Sequence, residues 1–210
     1  MSSTLGRLKD SYTTGARGAA SRLMSGMADS WITPNKLTAA GVTLCLAAAV
    51  LVWFEYRHEL LFFWLGAAVF IVGSVLDILD GALARATGRG TPFGAFIDST
   101  TDRVGEAAMI GAIGLIFMRE GNQVALGFAF AAMAGSFLVS YARARAEALG
   151  LRGDVGLSSR AERVVILSAG LILAPWGALP WAIYLLTASA WITVVQRALS
   201  VRAQLRRAEP

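Results

Sequence analysis

Residues 77–102 read DILDGALARATGRGTPFGAFIDSTTD, and this stretch decides the fold of the chain. It holds two pairs of aspartates, Asp77 with Asp80 and Asp98 with Asp102, on either side of a glycine-rich segment. Residues three or four positions apart lie on one face of a helix, so each pair is predicted to share a face. A short turn between two antiparallel helices would bring the two faces together and form a cage of four carboxylates.

The sequence on both sides of this stretch is typical of a membrane protein. Hydrophobic residues make up 56% of the 210 residues and charged residues 16%, whereas soluble domains are roughly 25% charged. Such a chain is not intrinsically disordered, because it has ample apolar surface to bury. A helix needs roughly 20 apolar residues to cross the hydrocarbon core of a bilayer. We predict an all-α membrane protein with six transmembrane helices, at about 37–54, 60–76, 96–118, 124–141, 164–175 and 179–195.

The distribution of positive charge gives this topology an orientation. All but two of the 19 Lys and Arg residues fall on one side of the six predicted spans, and the two exceptions are Arg57 and Arg119. Because positively charged loops remain in the cytoplasm, we expect both termini and the carboxylate cage at the cytoplasmic edge of a cell membrane. Basic loops facing anionic lipid then account for the net charge of +5, and no nucleic-acid partner is expected.

Residues 1–32 lack the continuous apolar core of a cleavable signal peptide. Apolar side chains alternate there with Arg and Lys, a pattern that indicates an amphipathic helix lying on the cytoplasmic face. A disordered tail is the alternative for residues 1–15. We therefore divide the chain into an interfacial amphipathic segment, 1–32, and a six-helix membrane domain, 33–210.

The predicted cage needs a compensating positive charge. An ionised carboxylate inside a membrane helix costs about 2.5–3.5 kcal/mol on insertion scales, and Glu106 adds a fifth carboxylate to the four aspartates. Arg85 and Arg103 neutralise part of this charge. The chain has one cysteine and one histidine, so carboxylate oxygens are the available metal ligands, which favours Mg²⁺ or Mn²⁺. Two adjacent divalent ions would suit a site that stabilises phosphate displacement.

Two alternatives do not involve this chemistry. A salt-bridged helix pair without metal would also contain intramembrane carboxylates, but two arginines do not balance five acids. A cation or proton transporter uses such carboxylates too, yet it would spread them along a pore, whereas here they cluster at one depth.

The pattern D-x2-D-G-x2-A-R-x8-G-x3-D-x3-D fits residues 77–102 at all eight fixed positions and resembles the signature of the CDP-alcohol phosphotransferase family. The resemblance implies six membrane helices, a homodimer, and transfer of a substituted phosphate from a CDP-linked donor to an alcohol with release of CMP. It further implies that Asp77, Asp80 and Asp98 hold one metal ion and that Asp77, Asp98 and Asp102 hold a second. Asp102 would also deprotonate the acceptor hydroxyl.

The same resemblance implies a site for the donor, CDP-diacylglycerol. Contacts to its nucleotide would come from five residues: Asn35, Thr38, Gly81, Arg85 and Thr91. The first two belong to the segment TPNKLT at 33–38, which equally fits a helix N-cap followed by proline in the first turn.

The acceptor site lies outside the shared signature. Residues 140–163 and 195–197 resemble the corresponding parts of bacterial phosphatidylinositol-phosphate synthases. That resemblance implies a basic pocket for inositol phosphate, lined by Ser140, Arg143, Arg163 and Arg197, and arginine binds phosphate oxygens in bidentate fashion. The expected activity is therefore transfer of the phosphatidyl group to inositol phosphate. Glycerol 3-phosphate, which also carries a phosphate, is the alternative acceptor.

Overall fold

The computed structural model describes residues 33–88 and 90–208, without the side chains of Arg85, Ala86 and Ala208. The predicted interfacial segment at 1–32 lies outside these residues. Regular structure in the described residues is entirely helical, which confirms the all-α fold. The α-helices are α1 Pro34–Trp53, α2 Glu59–Thr87, α3 Pro92–Arg119, α4 Gln123–Ala148, α5 Arg160–Ile172 and α6 Leu179–Ala208. Two 3₁₀ turns, Phe54–Arg57 and Ala174–Trp176, follow α1 and α5.

The glycine-rich segment forms the predicted turn between α2 and α3. Gly88 ends α2 with φ at 64°, in the left-handed region that glycine adopts without steric cost. Thr91 caps α3, because its Oγ1 accepts a hydrogen bond from the Gly94 amide at 2.9 Å. Pro92 then occupies the first turn, where its missing amide proton is not needed.

Helix packing holds α2 and α3 apart although they are consecutive. Helix α1 packs extensively against both of them, and α2 and α3 contact each other only slightly. In the second half of the chain, α6 packs against α4 and α5, while α3 packs on α4 and α2 on α5. The hydrophobic core takes residues from all six helices, and on α1, α2 and α3 it is centred away from the aspartates, around Val52, Phe63, Ile113 and Phe117. The aspartates are thus left at the opposite end, in the gap between α2 and α3.

Four helices are long and apolar enough to cross a membrane among the described residues: Pro34–Arg57, Glu59–Ala84, Gln123–Ala148 and Leu179–Arg207. Helix α3 has 28 residues, but charged side chains occupy its first half. Helix α5 has 13 residues, which at 1.5 Å per residue gives about 20 Å. The chain is therefore a helical protein of membrane type in which α3 and α5 depart from the simple pattern of an apolar span.

Glycines bring α1, α2 and α3 close together beside the aspartates. A Cβ atom on Gly73 of α2 would lie 2.9 Å from the Gly41 carbonyl oxygen and 3.0 Å from Cys45 Sγ, both on α1. A Cβ atom on Gly105 of α3 would lie 3.0 Å from Cys45 Cβ. Only residues without a side chain allow this approach, and it sets the spacing of the helices that carry the aspartates.

The variant Gly73→Ala is expected to lower the free energy of unfolding by about 1–3 kcal/mol, because the added methyl group meets backbone that cannot move aside cheaply. The matched control is Gly127→Ala on α4, where an added Cβ meets nothing within 4 Å. That change should be neutral or stabilising by about 0.5–1 kcal/mol, since alanine favours the helix. Thermal unfolding of both variants in detergent checks the difference, and equal stability would contradict the close approach.

Candidate active site

Three of the four predicted metal ligands converge on one point. Asp77 comes from α2, and Asp98 and Asp102 come from successive turns of α3; one carboxylate oxygen of each lies within 4.8 Å of the others. Ligands of one Mg²⁺ ion bind at 2.0–2.1 Å and so lie at most about 4.2 Å apart. Asp77 is buried, whereas Asp98 and Asp102 are partly exposed. A small closure of this aspartate cluster would therefore fit a divalent cation, and its all-oxygen donor set suits Mg²⁺ or Mn²⁺.

Asp80 lies one helical turn further along α2 and outside this cluster. Its side chain is buried, and its Oδ2 accepts a short hydrogen bond from Thr38 Oγ1 of α1. The hydrogen bond connects the predicted nucleotide segment at the start of α1 to the aspartate motif on α2.

A cleft of about 570 Å³ opens between the start of α1, the end of α2 and the start of α3. We call it the donor cleft. Four of the five predicted nucleotide contacts line it, namely Asn35, Thr38, Gly81 and Thr91, together with Asp80 and Asp98. Arg85 belongs to α2, and its side chain lies outside the described part of the structure.

A second cleft, of about 850 Å³, opens between α3 and α4. We call it the acceptor cleft. Asp98 and Asp102 line it from α3, and Ser140 and Arg143 line it from α4. Arg143 is exposed and its Nε lies 2.8 Å from Glu147 Oε1. Because Asp98 lines both clefts, the aspartate cluster is the boundary between them.

Arg163 does not line the acceptor cleft. Its guanidinium is buried, with Nε 2.6 Å from Glu106 Oε1 and Nη2 3.1 Å from Glu106 Oε2. Its Nη1 donates to the Ser158 carbonyl oxygen at 3.1 Å. Glu106 is the fifth carboxylate of the predicted group, and both of its oxygens bind Arg163. It therefore neutralises an arginine and does not join the aspartate cluster.

Arg197 is also buried away from the acceptor cleft. Its Nε donates to the Val155 carbonyl oxygen at 2.9 Å, and its Nη1 donates a short hydrogen bond to the Val139 carbonyl oxygen. The side chain thus connects the loop at 149–159 and α4 to α6. The four residues predicted for the acceptor therefore fall into two groups: two lie on the cleft wall, and two lie in the protein interior beside it.

The sequence reasoning missed Arg160, the first residue of α5. Its Nη1 forms ion pairs with Asp77 Oδ2 and with Asp102 Oδ1, the latter at 2.7 Å. Both oxygens are buried and accept no hydrogen bond from the described residues, so the contacts are ionic. The signal was available, since Arg160 lies one helical turn before Arg163, which we assigned to the acceptor site, but Arg160 itself resembled the arginines at the end of a membrane helix.

The chain resembles a group of lipid-synthesising enzymes over nearly its whole length. It is 36% identical to the archaetidylinositol phosphate synthase of Pyrococcus horikoshii over 185 residues, which cover 88% of this chain and 91% of that protein. It is 37% identical to the phosphatidylinositol phosphate synthase of Mycobacteroides abscessus over 187 residues, 86% of this chain and 82% of the relative.

The fold resembles crystal structures of the phosphatidylinositol phosphate synthase of Mycobacterium tuberculosis. The complex of that enzyme with manganese and citrate matches with a TM-score of 0.76 and 31% identity, covering 87% of this chain and 88% of the other. Its complex with CDP-DAG matches with a TM-score of 0.74 over 87% and 92% of the two chains. The family model for CDP-alcohol phosphatidyltransferase matches residues 31–201. The chain therefore belongs to the CDP-alcohol phosphatidyltransferase family and is an enzyme of that class.

Proposed function

We propose that the protein transfers the phosphatidyl group of CDP-diacylglycerol to a hydroxyl of inositol phosphate, releasing CMP and forming phosphatidylinositol phosphate. The observation that carries this proposal is the aspartate cluster at the boundary between two clefts, with Asp98 lining both. The names of the relatives support inositol phosphate as the acceptor class, and the CDP-DAG complex of the M. tuberculosis enzyme supports the donor. Membership of an enzyme family favours this activity over ion transport.

The donor would bind with its cytidine diphosphate in the donor cleft and its acyl chains in the bilayer. Asn35, Thr38 and Thr91 offer amide and hydroxyl groups at the cleft wall, and Gly81 offers a wall without a side chain. We assign Arg85 to the nucleotide phosphates from the family resemblance. In this position the donor's phosphate that carries diacylglycerol would lie against Asp98.

The metal-holding residues in this proposal are Asp77, Asp98 and Asp102 for one ion, and Asp77, Asp80 and Asp98 for a second. Bound Mg²⁺ or Mn²⁺ would neutralise the diphosphate and lower the pKa of the acceptor hydroxyl. Asp102 takes the hydroxyl proton as the acceptor oxygen forms its bond to the phosphorus that bears diacylglycerol. The bond from that phosphorus to the bridging oxygen breaks, and the electron pair leaves with CMP.

The acceptor would enter through the acceptor cleft, where Asp102 faces Ser140 and Arg143 across the gap between α3 and α4. A phosphate monoester carries close to two negative charges, and Arg143 supplies charge-assisted hydrogen bonds to it. We keep Arg163 and Arg197 in the proposed acceptor site as buried residues that position its surroundings. Arg163 holds the start of α5 through the Ser158 carbonyl oxygen, and Arg197 holds the loop at 149–159 through the Val155 carbonyl oxygen.

We also propose the finer architecture that the sequence suggests. All six helices span the membrane, with α3 admitting charge because its first half lines the clefts and α5 completed by the 3₁₀ turn that follows it. Both termini and both clefts face the cytoplasm, residues 1–32 lie on the membrane surface as a separate segment, and two chains form a homodimer.

The activity is tested by CMP release from purified protein with CDP-diacylglycerol and Mg²⁺, in parallel reactions with inositol phosphate, glycerol 3-phosphate or serine. We expect release with inositol phosphate. Release with glycerol 3-phosphate instead would overturn the acceptor assignment while leaving the aspartate chemistry in place. No release with any acceptor would contradict the proposed reaction.

Replacing Arg143 by Ala is expected to raise the KM for inositol phosphate by about 10- to 100-fold, because one charged hydrogen-bond donor of roughly 1.5–3 kcal/mol is lost. The KM for CDP-diacylglycerol should change little. Arg145→Ala is the matched control, since Arg145 lies on the same helix, is exposed and does not line the cleft. An unchanged acceptor KM in Arg143→Ala would remove this residue from the acceptor site.

A further inference from the structure

The aspartate cluster already contains a cation that belongs to the protein. Arg160 Nη1 lies between Asp77 and Asp102, in ionic contact with one oxygen of each. These oxygens are buried and accept no hydrogen bond from the described residues, and the Arg160 guanidinium is the positive charge in contact with both of them. The guanidinium therefore occupies the position that a divalent ion bound by these two oxygens would need.

Space at this point is limited. The small cavity that Arg160 lines together with Asp77, Asp102, Ser74 and Cys45 has a volume of about 20 Å³. A water molecule needs roughly 10–15 Å³ of such volume, and Mg²⁺ usually keeps several of its waters. A hydrated ion and the Arg160 guanidinium cannot both be accommodated between these two carboxylates.

The two arginines at the start of α5 differ in how firmly they are held. The Arg163 side chain is 5% exposed and bound by Glu106 in bidentate fashion, whereas the Arg160 side chain is 29% exposed. Arg160 is also the first residue of its helix, next to the loop at 149–159. It therefore has a route out of the cluster toward solvent that Arg163 lacks.

We propose that Arg160 is an internal counter-ion that competes with the divalent metal for Asp77 and Asp102, so that metal binding requires the guanidinium to leave. The inference rests on the proposed metal role of these aspartates. It explains how buried carboxylates remain stable in the metal-free protein, since an uncompensated buried charge is strongly destabilising. It also makes the start of α5 responsive to the metal.

The test is a titration of the full chain with Mn²⁺ in the absence of lipid donor. The electron paramagnetic resonance signal of free Mn²⁺ measures how much of the ion is bound. We expect Arg160→Gln to lower the dissociation constant by about tenfold or more, a usual size for coupling between two ligands of one protein. Arg103→Gln is the matched control, because Arg103 Nη1 lies 3.9 Å from Asp102 Oδ2 and does not bridge the aspartates. A similar gain in both variants, or weaker binding in Arg160→Gln, would overturn the proposal.

A measurement on the wild-type protein keeps the proposal testable if Arg160→Gln does not fold. Hydrogen exchange of the segment 158–165 should become faster on addition of Mg²⁺, while segments of α2 and α3 around the aspartates become slower. Protection of all three regions would overturn the displacement of Arg160. The variant Asp77→Asn distinguishes a failure of the proposed metal site from a failure of the proposed competition by Arg160. If wild-type protein binds no more Mn²⁺ than Asp77→Asn, the metal site is wrong, and this inference is wrong with it.

Discussion

The variant Asp102→Asn is expected to release CMP at least about 10³-fold more slowly than the wild-type enzyme, since positioned proton transfer alone contributes roughly 10²–10⁴-fold. Asp102 is the one aspartate of the cluster that lines the acceptor cleft and also lines the small cavity beside Asp77. The amide neither accepts the hydroxyl proton nor supplies an anionic metal ligand. Initial rates at saturating donor, inositol phosphate and Mg²⁺ give the comparison.

The matched control for this loss is Glu120→Gln, which makes the same chemical change at the other end of α3. It should retain wild-type rates, because Glu120 lies at the C-terminal cap of the helix, away from both clefts. Gel filtration and thermal unfolding in detergent should show that Asp102→Asn is folded. A folded Asp102→Asn variant within tenfold of the wild-type rate would exclude Asp102 as the base.

A second large effect is expected from Arg163→Met. Arg163 and Glu106 form a buried bidentate pair, and their side chains are 5% and 11% exposed. Removing one partner of such a pair leaves an uncompensated buried charge, which costs about 3–5 kcal/mol. For a chain of this length the midpoint of thermal unfolding should fall by roughly 6–20 °C.

The double variant Glu106→Gln with Arg163→Met should recover most of this stability, since it removes both charges together. Arg145→Met, an exposed arginine to methionine change on α4, is the control and should unfold near the wild-type temperature. The acceptor KM of the stable double variant then separates two roles. If it stays at the wild-type value, Arg163 only holds α5 in place; if it rises, Arg163 also shapes the acceptor site. Equal stability of Arg163→Met and wild type would contradict the buried pair.

The parts of the site that follow from local spacing were accessible from the sequence. Asp98 and Asp102 share a helix face because four residues separate them, and Asp77 meets them because a short glycine turn reverses the chain. The helix starts lie within four residues of the predicted spans, but α2, α4 and α6 continue 7 to 13 residues beyond the predicted ends, because these helices do not stop where the charged residues begin. These features depend on neighbours within about thirty residues.

The contacts made by arginines were not accessible in the same way. Arg160, Arg163 and Arg197 all carry the sequence signal of basic residues at the end of a membrane helix. Their actual partners are Asp77 and Asp102, Glu106, and the carbonyl oxygens of distant segments. Which of these a guanidinium meets depends on the rotation and height of α5 and α6 against the first three helices. No local pattern in the sequence encodes that rotation.

The walls of the two clefts come from different parts of the sequence. The donor cleft is built from residues between 34 and 98, whereas every acceptor-cleft residue outside α3 comes from α4. Recombination of genes within the short turn after Arg119 would therefore exchange the α4 wall of the acceptor cleft while leaving the nucleotide wall and the four aspartates in place. A lineage could acquire a new head group by changing the second half of the gene alone. The ion pairs that cross this division, Glu106 with Arg163 and the aspartates with Arg160, would need to be inherited together.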